Sequence, residues 1–223
     1  MAILNRYIFG LLTRALFACI LVGMKQHRDP DHTRQTILEA AAQEIHLHGF
    51  QAASLSRILA TTGLTKGALY HHFPNKQALG YAVLEDVILV EGREKWIGPF
   101  ENCADPVDCL QEMMAARFKG MSRQDLLLGC PLNNLALEMS PIDEGFRQRV
   151  QDIYDRWTKA LAAILARGQG SGSVSSEVDP FKVATFIVAS IAGIRSLAKT
   201  SQNQAVLEAS ADALIGYLET LRG

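Results

Sequence analysis

Apolar side chains recur at helical spacing along the early part of the chain. Ile37, Leu38, Ala41 and Ile45 share one face, which predicts a helix from Asp31 or Thr33 to His48. Gly49 followed by apolar Phe50 predicts a Schellman stop. Over residues 54–76, SLSRILATTGLTKGALYHHFPNK, the apolar runs become shorter. Ser54 is placed to cap a short helix whose Leu55, Ile58 and Leu59 lie together, and Thr61, Thr62 and Gly63 interrupt it. Gly63 suits the turn between two crossing helices because it enters the left-handed region without a Cβ clash, and Leu64 plugs the angle. Thr65 then caps a second short helix with Leu69 and Phe73 on its buried side. The pattern is a helix-turn-helix. Lys66, Gly67, Tyr70, His71 and His72 are left facing outward, a set suited to a groove in DNA rather than to bulk water.

Pro74 stops that helix, and Asn75 caps a longer one running to about Lys95, before Gly98-Pro99. At about 1.5 Å per residue it spans roughly 30 Å, a lever between two parts of the chain. Further helices are expected at about 106–120, in a short stretch after the break Gly129-Cys130-Pro131 through Met139, and from Pro141 to about Arg167. In the last of these, Phe146, Val150, Ile153, Tyr154, Trp157, Leu161 and Ile164 recur at threes and fours, with Arg147, Asp152 and Arg156 facing away. The stretch GQGSGSVSSE reads as a loop. Two final helices cover about 180–200 and 203–222. The first is apolar nearly all round, implying burial on several sides, with Ser190, Ala192 and Gly193 permitting close approach. In the second, Leu207, Leu214 and Leu221 recur at seven beside Val206, Ala213, Tyr217 and Leu218. A two-fold four-helix interface between subunits is the natural use of so much apolar surface. The expected fold class is all-α: a three-helix helix-turn-helix domain at residues 24–76 and a larger helical dimerisation domain at residues 77–223.

The stretch GLTKGALYHHFPNK resembles the recognition helix and following turn of the TetR family of bacterial transcriptional regulators. Gly, Lys-Gly, Leu-Tyr, His-Phe and Asn-Lys fall in the family's order; residues 33–80 match well, and the remainder matches by architecture. Leu59 departs from the pattern, which usually carries Ala there. The resemblance implies a homodimer whose two recognition helices enter successive major grooves of a near-palindromic double-stranded operator. It assigns Lys66 and Gly67 to base edges or close backbone approach, and Tyr70, His71, His72 and Lys76 to phosphates and the groove wall. Thr65 at the helix start and Arg34 on the first helix complete the DNA-facing set. Lys76 stands in the first turn of its helix, where the macrodipole disfavours a cation by up to about 1 kcal/mol; a bound phosphate would offset that. The resemblance also implies a small-molecule effector pocket among the middle helices, with Met113, Phe118, Cys130, Asn133, Asn134, Tyr154, Trp157 and Phe186 as candidates. GCPLNNLALEMS is similar to the equivalent stretch of a branch that responds to reactive electrophiles or small unsaturated acids. Two readings of Cys130 stay open, a thiol activated at a helix start and a buried inert cysteine.

Charge sharpens the picture modestly. The chain of 223 residues has a net charge of −1, but residues 24–76 carry six Lys/Arg against four Asp/Glu, and residues 77–223 hold a net −5. All six histidines lie between His27 and His72. A basic, His-rich end on an acidic body suggests that one end meets a polyanion. The four cysteines, Cys19, Cys103, Cys109 and Cys130, form no C-x-x-C pair and no zinc spacing with the histidines, so no metal is expected; unpaired, they fit a reducing cytoplasm. There is no Gly-rich phosphate loop, nucleophile elbow or H-E-x-x-H, so neither an enzyme nor a cofactor is expected. Residues 1–23 are apolar, but Arg14 leaves only Ala15 to Gly23 uninterrupted, short of the roughly 20 residues of a spanning helix. The expectation is that translation begins at Met24, residues 1–23 being an artefact; a membrane-associated leader or an extra arm are the rivals. Lys25 and Arg28 then belong to a tail that either reaches phosphates or is simply solvated. The rival function is an all-helical, membrane-attached interaction protein anchored by residues 1–23.

Overall fold

The computed structural model describes residues 30–100 and 103–223. The expectations for residues 1–23, Lys25 and Arg28 lie outside these described residues. Two units are present, the opening turns of the first helix at residues 30–35 and the remainder from Thr36 to Gly223. All regular structure among the described residues is helical.

Helix α1 (Pro30–His48) buries Ile37, Leu38, Ala41 and Ile45, the face its spacing predicts. Its end is not the expected Schellman pattern. Gly49, at φ +79°, closes on the Ile45 carbonyl at 2.8 Å, but the Phe50 N–H donates to Glu138 Oε2 at 2.8 Å instead of returning to the helix. Helix α2 (Leu55–Thr62) is capped by Ser54 and ends at Gly63 with φ 66°. Helix α3 (Lys66–His72) starts at Thr65, whose hydroxyl accepts from the Ala68 N–H at 3.2 Å. Asn75 caps α4 (Lys76–Ala82), accepting from the Ala78 N–H at 2.7 Å. The expected long helix continues without a break, but through a π-helical stretch, Val83–Ile88, into α5 (Leu89–Trp96). That stretch buries Val83, Leu84, Val87 and Ile88. Its wider i→i+5 winding leaves no cap, Gly or Pro in the sequence to announce it.

Beyond a 3₁₀ turn at Gly98–Phe100 come α6 (Pro106–Lys119), α7 (Arg123–Leu128), α8 (Pro131–Met139), α9 (Glu144–Ser171), α10 (Pro180–Ser201) and α11 (Gln204–Glu219). Helix α7 was not expected; its sign is the reciprocal capping box between Ser122 and Asp125. Helix α9 begins at Glu144 rather than Pro141 because Asp143 caps it, accepting from the Phe146 N–H. It also runs on through Gly168 to Ser171, where a loop was expected. Gly168 is buried with Val174 folded against it, 2.5 Å from where a Cβ would stand, so this glycine serves close packing rather than a break. Cys103 and Cys109, expected to be unpaired, are joined by a disulfide, since Cys109 in the first turn of α6 comes within 6.4 Å (Cα–Cα) of Cys103.

The interior forms two apolar clusters. One joins α1–α4 and the π-helical stretch to α8 and the first half of α9, through Leu38, Leu69, Phe73, Leu84, Leu132 and Phe146. The other joins α6 and the second half of α9 to α10 and α11, through Leu110, Met114, Leu165, Ile187 and Leu207. The helix-turn-helix therefore shares its core with the body: Phe146 of α9 packs at 4.6 Å from Phe50 and 4.9 Å from Tyr81. Leu207, Leu214 and Leu221, the leucines that recur at seven, are buried within the subunit rather than offered to a partner. Helix α10 is not covered on several sides. Phe186 and Leu197 are 49% and 53% exposed, with exposed Ala189 and Gly193 between them on the same side. Among the described residues, α10 is the one helix long and apolar enough to cross a membrane.

Candidate DNA-reading helix and ligand cavity

Helix α3 is presented by a scaffold held at several polar points. Glu44, buried on α1, accepts from Arg57 Nε at 2.7 Å and from the Ser54 N–H at 2.9 Å, while Arg57 Nη2 donates to the Ala52 carbonyl at 2.9 Å. The bonded guanidinium keeps the Glu44 carboxyl below its ordinary range, against the opposing effect of burial. Glu138, on α8, accepts from both the Phe50 and the Gln51 N–H at 2.8 Å. On the other side of that peptide, Lys76 Nζ donates to the Gln51 carbonyl at 2.9 Å and lies 5.0 Å from the Phe50 ring centroid.

Thr65, Lys66, Gly67, Tyr70 and His71 are exposed together on α3, and His72 is half-buried. Lys66 Nζ stands 5.8 Å from the Tyr70 ring centroid, and the His71 and His72 rings meet edge-on at 5.1 Å. The surface offers a point charge and several hydrogen-bond donors on a helix fixed from behind by Leu69 and Phe73. Lys76, half-buried at the start of α4, has its ammonium on the Gln51 carbonyl, which offsets the macrodipole in this structure. Arg34 belongs to the opening turns of α1.

A second candidate site lies between the two core clusters. An apolar cavity of about 30 Å³ has Leu110, Met113, Ile187 and Ile191 among its walls, and adjoins a wider cleft of about 360 Å³ that reaches His46, Lys95 and Arg195. Trp96, Cys130 and Trp157 belong to both and form the partition between them. Gly92 on α5 makes room for Trp157: a Cβ there would stand 2.3 Å from Trp157 Cζ2. Trp157 Nε1 is buried and has no hydrogen-bond partner among the described residues. The Tyr154 hydroxyl reaches Asn133 Oδ1 at 3.4 Å, and burial raises its pKa well above that of a free phenol, so it remains a neutral donor. Just before Cys130, the Gly129 carbonyl accepts from His46 Nε2 at 3.1 Å and from Arg195 Nη2 at 2.8 Å. Burial pushes the His46 pKa down, consistent with a neutral ring whose proton sits on Nε2.

Of the residues expected at a pocket, Met113, Cys130, Tyr154 and Trp157 line the cavity. Asn133 stands behind Tyr154, with its amide donating to Ser196 Oγ at 2.6 Å. Asn134 is committed to structure, donating to the Leu128 carbonyl at 2.8 Å and accepting from Lys199 Nζ at 3.0 Å. Two candidates lie elsewhere. Phe118 is buried in the second core cluster, and Phe186 sits on the exposed side of α10 with its ring edge-on to Tyr217 at 4.8 Å. Trp96, His46 and Arg195 were not anticipated, because they come from α5, α1 and α10, whose approach leaves no local pattern. No group of His, Cys, Asp and Glu suited to a metal occurs among the described residues.

Comparison with known proteins finds relatives for both ends of the chain. Residues 37–83 match the family described as bacterial regulatory proteins, tetR family, and residues 106–214 match the tetracyclin repressor-like C-terminal domain. The chain is 27% identical over 175 residues to the HTH-type transcriptional repressor DhaR of Mycobacterium sp. (strain GP1), covering 78% of this chain and 86% of that protein. It is 29% identical over 175 residues to the A-factor receptor protein of Streptomyces griseus, covering 78% of this chain and 58% of the receptor. The crystal structure of a TetR transcriptional regulator from Chloroflexus aurantiacus J-10-FL aligns with a TM-score of 0.74 at 27% identity, over 86% of this chain and 96% of that one. With a matching helix-turn-helix at one end and a matching helical body at the other, the chain belongs to the TetR family of bacterial transcriptional regulators.

Proposed function

We propose that this chain, a ligand-responsive DNA-binding transcriptional regulator by family, is a repressor that binds a near-palindromic operator as a homodimer and is released by a small molecule. The observation that carries the reading is α3 itself: Lys66, Tyr70 and His71 are exposed on a short helix whose opposite side, Leu69 and Phe73, is locked in the core. In this reading Lys66 and Gly67 approach base edges, while Tyr70, His71 and His72 donate to phosphates and the groove wall. Thr65 holds the helix start, Arg34 reaches the DNA backbone, and Lys76 leaves the Gln51 carbonyl for a phosphate when DNA arrives. The helix-turn-helix domain is taken as residues 24–76 and the regulatory body as residues 77–223. TetR-family regulators are soluble cytoplasmic proteins, typically dimeric. The exposed face of α10, Phe186, Ala189, Gly193 and Leu197, with Ala213 and Gly216 of α11 exposed beside it, supports pairing through the last two helices. The effector enters the cavity walled by Trp96, Cys130 and Trp157. DhaR is named a repressor and the A-factor protein a receptor, which supports both halves of the reading.

The test is selection of duplexes from a random-sequence pool, followed by gel shift. An inverted repeat with half-sites about one helical turn apart, bound by two protomers, is expected. Lys76→Ala should weaken binding at all sequences and lower the salt slope by about one. Leu197→Asp should give monomers by sedimentation and abolish the shift. Enrichment of no sequence, or of an unrepeated site bound by one protomer, refutes the reading.

A further inference from the structure

We propose that the cavity between the two core clusters takes an uncharged, apolar small molecule bearing a hydrogen-bond acceptor, and that the Trp157 Nε1–H is the donor that recognises it. The inference rests on the reading of this cavity as the effector site and names the chemistry of its occupant.

Nearly all buried N–H groups in folded proteins are paired. Trp157 Nε1 is buried and unpaired among the described residues, while polar groups of the neighbouring walls are engaged elsewhere: Arg195 and His46 on the Gly129 carbonyl, Asn133 on Ser196. An indole N–H only donates, so the missing partner is an acceptor. Tyr154, whose hydroxyl reaches Asn133 at a long 3.4 Å, offers a second donor on the same wall. The rest of the lining is aliphatic, thioether, indole and the Cys130 thiol, and no Asp, Glu, Lys or Arg belongs to it. A carboxylate or ammonium placed there would lose its hydration with no counter-charge, which excludes organic ions as the preferred class. Both cations of the neighbouring cleft are committed, Lys95 to Glu91 and Arg195 to the Gly129 carbonyl. Flat indole walls at Trp96 and Trp157, with Met113 and Met114 beside them, favour a compact ring carrying a ketone, ester or ether oxygen.

The cavity is tight without a ligand, about 30 Å³, so an occupant displaces the partition formed by Trp157 and Cys130 and enters from the wider cleft. Cys130 follows Gly129, whose carbonyl holds His46 of α1, so occupation is felt where the helix-turn-helix joins the body.

The test is isothermal titration of the full chain with four probes on one ring: acetophenone; α-methylstyrene, its isostere without an acceptor; benzoate; and benzylammonium. Acetophenone should bind about tenfold tighter than α-methylstyrene, the difference made by one buried donor satisfied or left bare, and the two ions should be weaker than either. Trp157→Phe keeps a ring and removes the N–H, and should equalise acetophenone and α-methylstyrene; Trp96→Phe should keep the preference. Equal binding of the isosteres to the unmodified chain, tighter binding of either ion, a preference that survives Trp157→Phe, or no binding by any probe overturns the proposal. Should Trp157→Phe fail to fold, judged by circular dichroism, the ranking of the four probes on the unmodified chain decides. The duplex selection is a separate measurement: a chain that binds its inverted repeat but ranks the probes otherwise loses this inference alone, and one that ranks them as stated but selects no duplex loses the DNA reading alone.

Discussion

Removing the Glu138 carboxylate tests whether the body holds the helix-turn-helix by backbone hydrogen bonds or by apolar contact alone. Glu138→Ala deletes two acceptors at once, those of the Phe50 and Gln51 N–H groups, each at 2.8 Å. A hydrogen bond to a charged group contributes about 1.5–3 kcal/mol net, and a buried donor left bare costs a similar amount. The two donors differ. The bond to Phe50 is part-buried, so most of its contribution is lost, whereas the Gln51 N–H is exposed and water replaces the carboxylate there. The sum is about 2–4 kcal/mol, which in a chain of this size lowers the thermal midpoint by about 5–15 °C. Glu138→Gln keeps one oxygen and turns an amide N–H₂ toward the other donor, so it should lose about half as much. The tilted Phe50–Phe146 ring contact at 4.6 Å is untouched by either change, so the loss is concentrated at the turn. The assay is thermal unfolding at fixed protomer concentration, paired with hydrogen exchange at the Phe50 and Gln51 amides. Exchange at those two amides should accelerate in Glu138→Ala, and affinity for the selected duplex should fall because α3 is less firmly oriented. An unchanged midpoint together with unchanged exchange at residues 50 and 51 would mean that the carboxylate holds nothing.

Gly92→Ala places a methyl 2.3 Å from Trp157 Cζ2, where a rigid indole and a helix backbone must both give way; a loss of about 1–3 kcal/mol and a shifted tryptophan emission are expected, and an unchanged spectrum would refute the contact. Reducing the Cys103–Cys109 disulfide with dithiothreitol opens a link of sequence separation 6 and should cost about 2 kcal/mol, read as a lower melting midpoint once alkylation confirms that both thiols are free. Glu44 gives an acid-side signature: because Arg57 holds its carboxyl below the ordinary 4.5, the unfolded chain takes up that proton first as pH falls. Its stabilisation is therefore complete above that value and lost below it, so Glu44→Gln should melt lower at neutral pH and show a flatter decline in acid. Parallel acid limbs for the two proteins would remove Glu44 from the account.

What was legible in the sequence was local. Ser54, Thr65 and Asn75 each announce a helix start, and each accepts a hydrogen bond from the N–H groups just after it. Spacing also tells which side of a helix is apolar, but not what covers it. Leu207, Leu214 and Leu221 were expected to face a second subunit and instead face the subunit's own core. On α10, Phe186 points outward and its neighbour Ile187 lines the cavity, a choice made by one step of about 100° around a helix that is apolar on both sides. Glu44 and Glu138 carried no signal at all. Each is an ordinary helical glutamate until its partners arrive from residues 10 and 13 away in one case, and 88 and 87 away in the other.

Helix α8 shows what that blindness conceals. Read alone, PLNNLALEM is a short amphipathic helix with a proline start. In the fold, Cys130 at its head is part of the cavity's partition, and the Gly129 carbonyl just before it binds His46. Glu138, one residue from its end, grips the peptide that opens the approach to α2. The same nine-residue helix thus touches the proposed ligand cavity at one end and the approach to the helix-turn-helix at the other. A displaced Cys130 must be absorbed within those residues or passed to Phe50 and Gln51. Leu132, Leu135 and Met139, all buried along its inner side, leave little room for absorption, so the hydrogen bonds at its two ends are where the two sites meet.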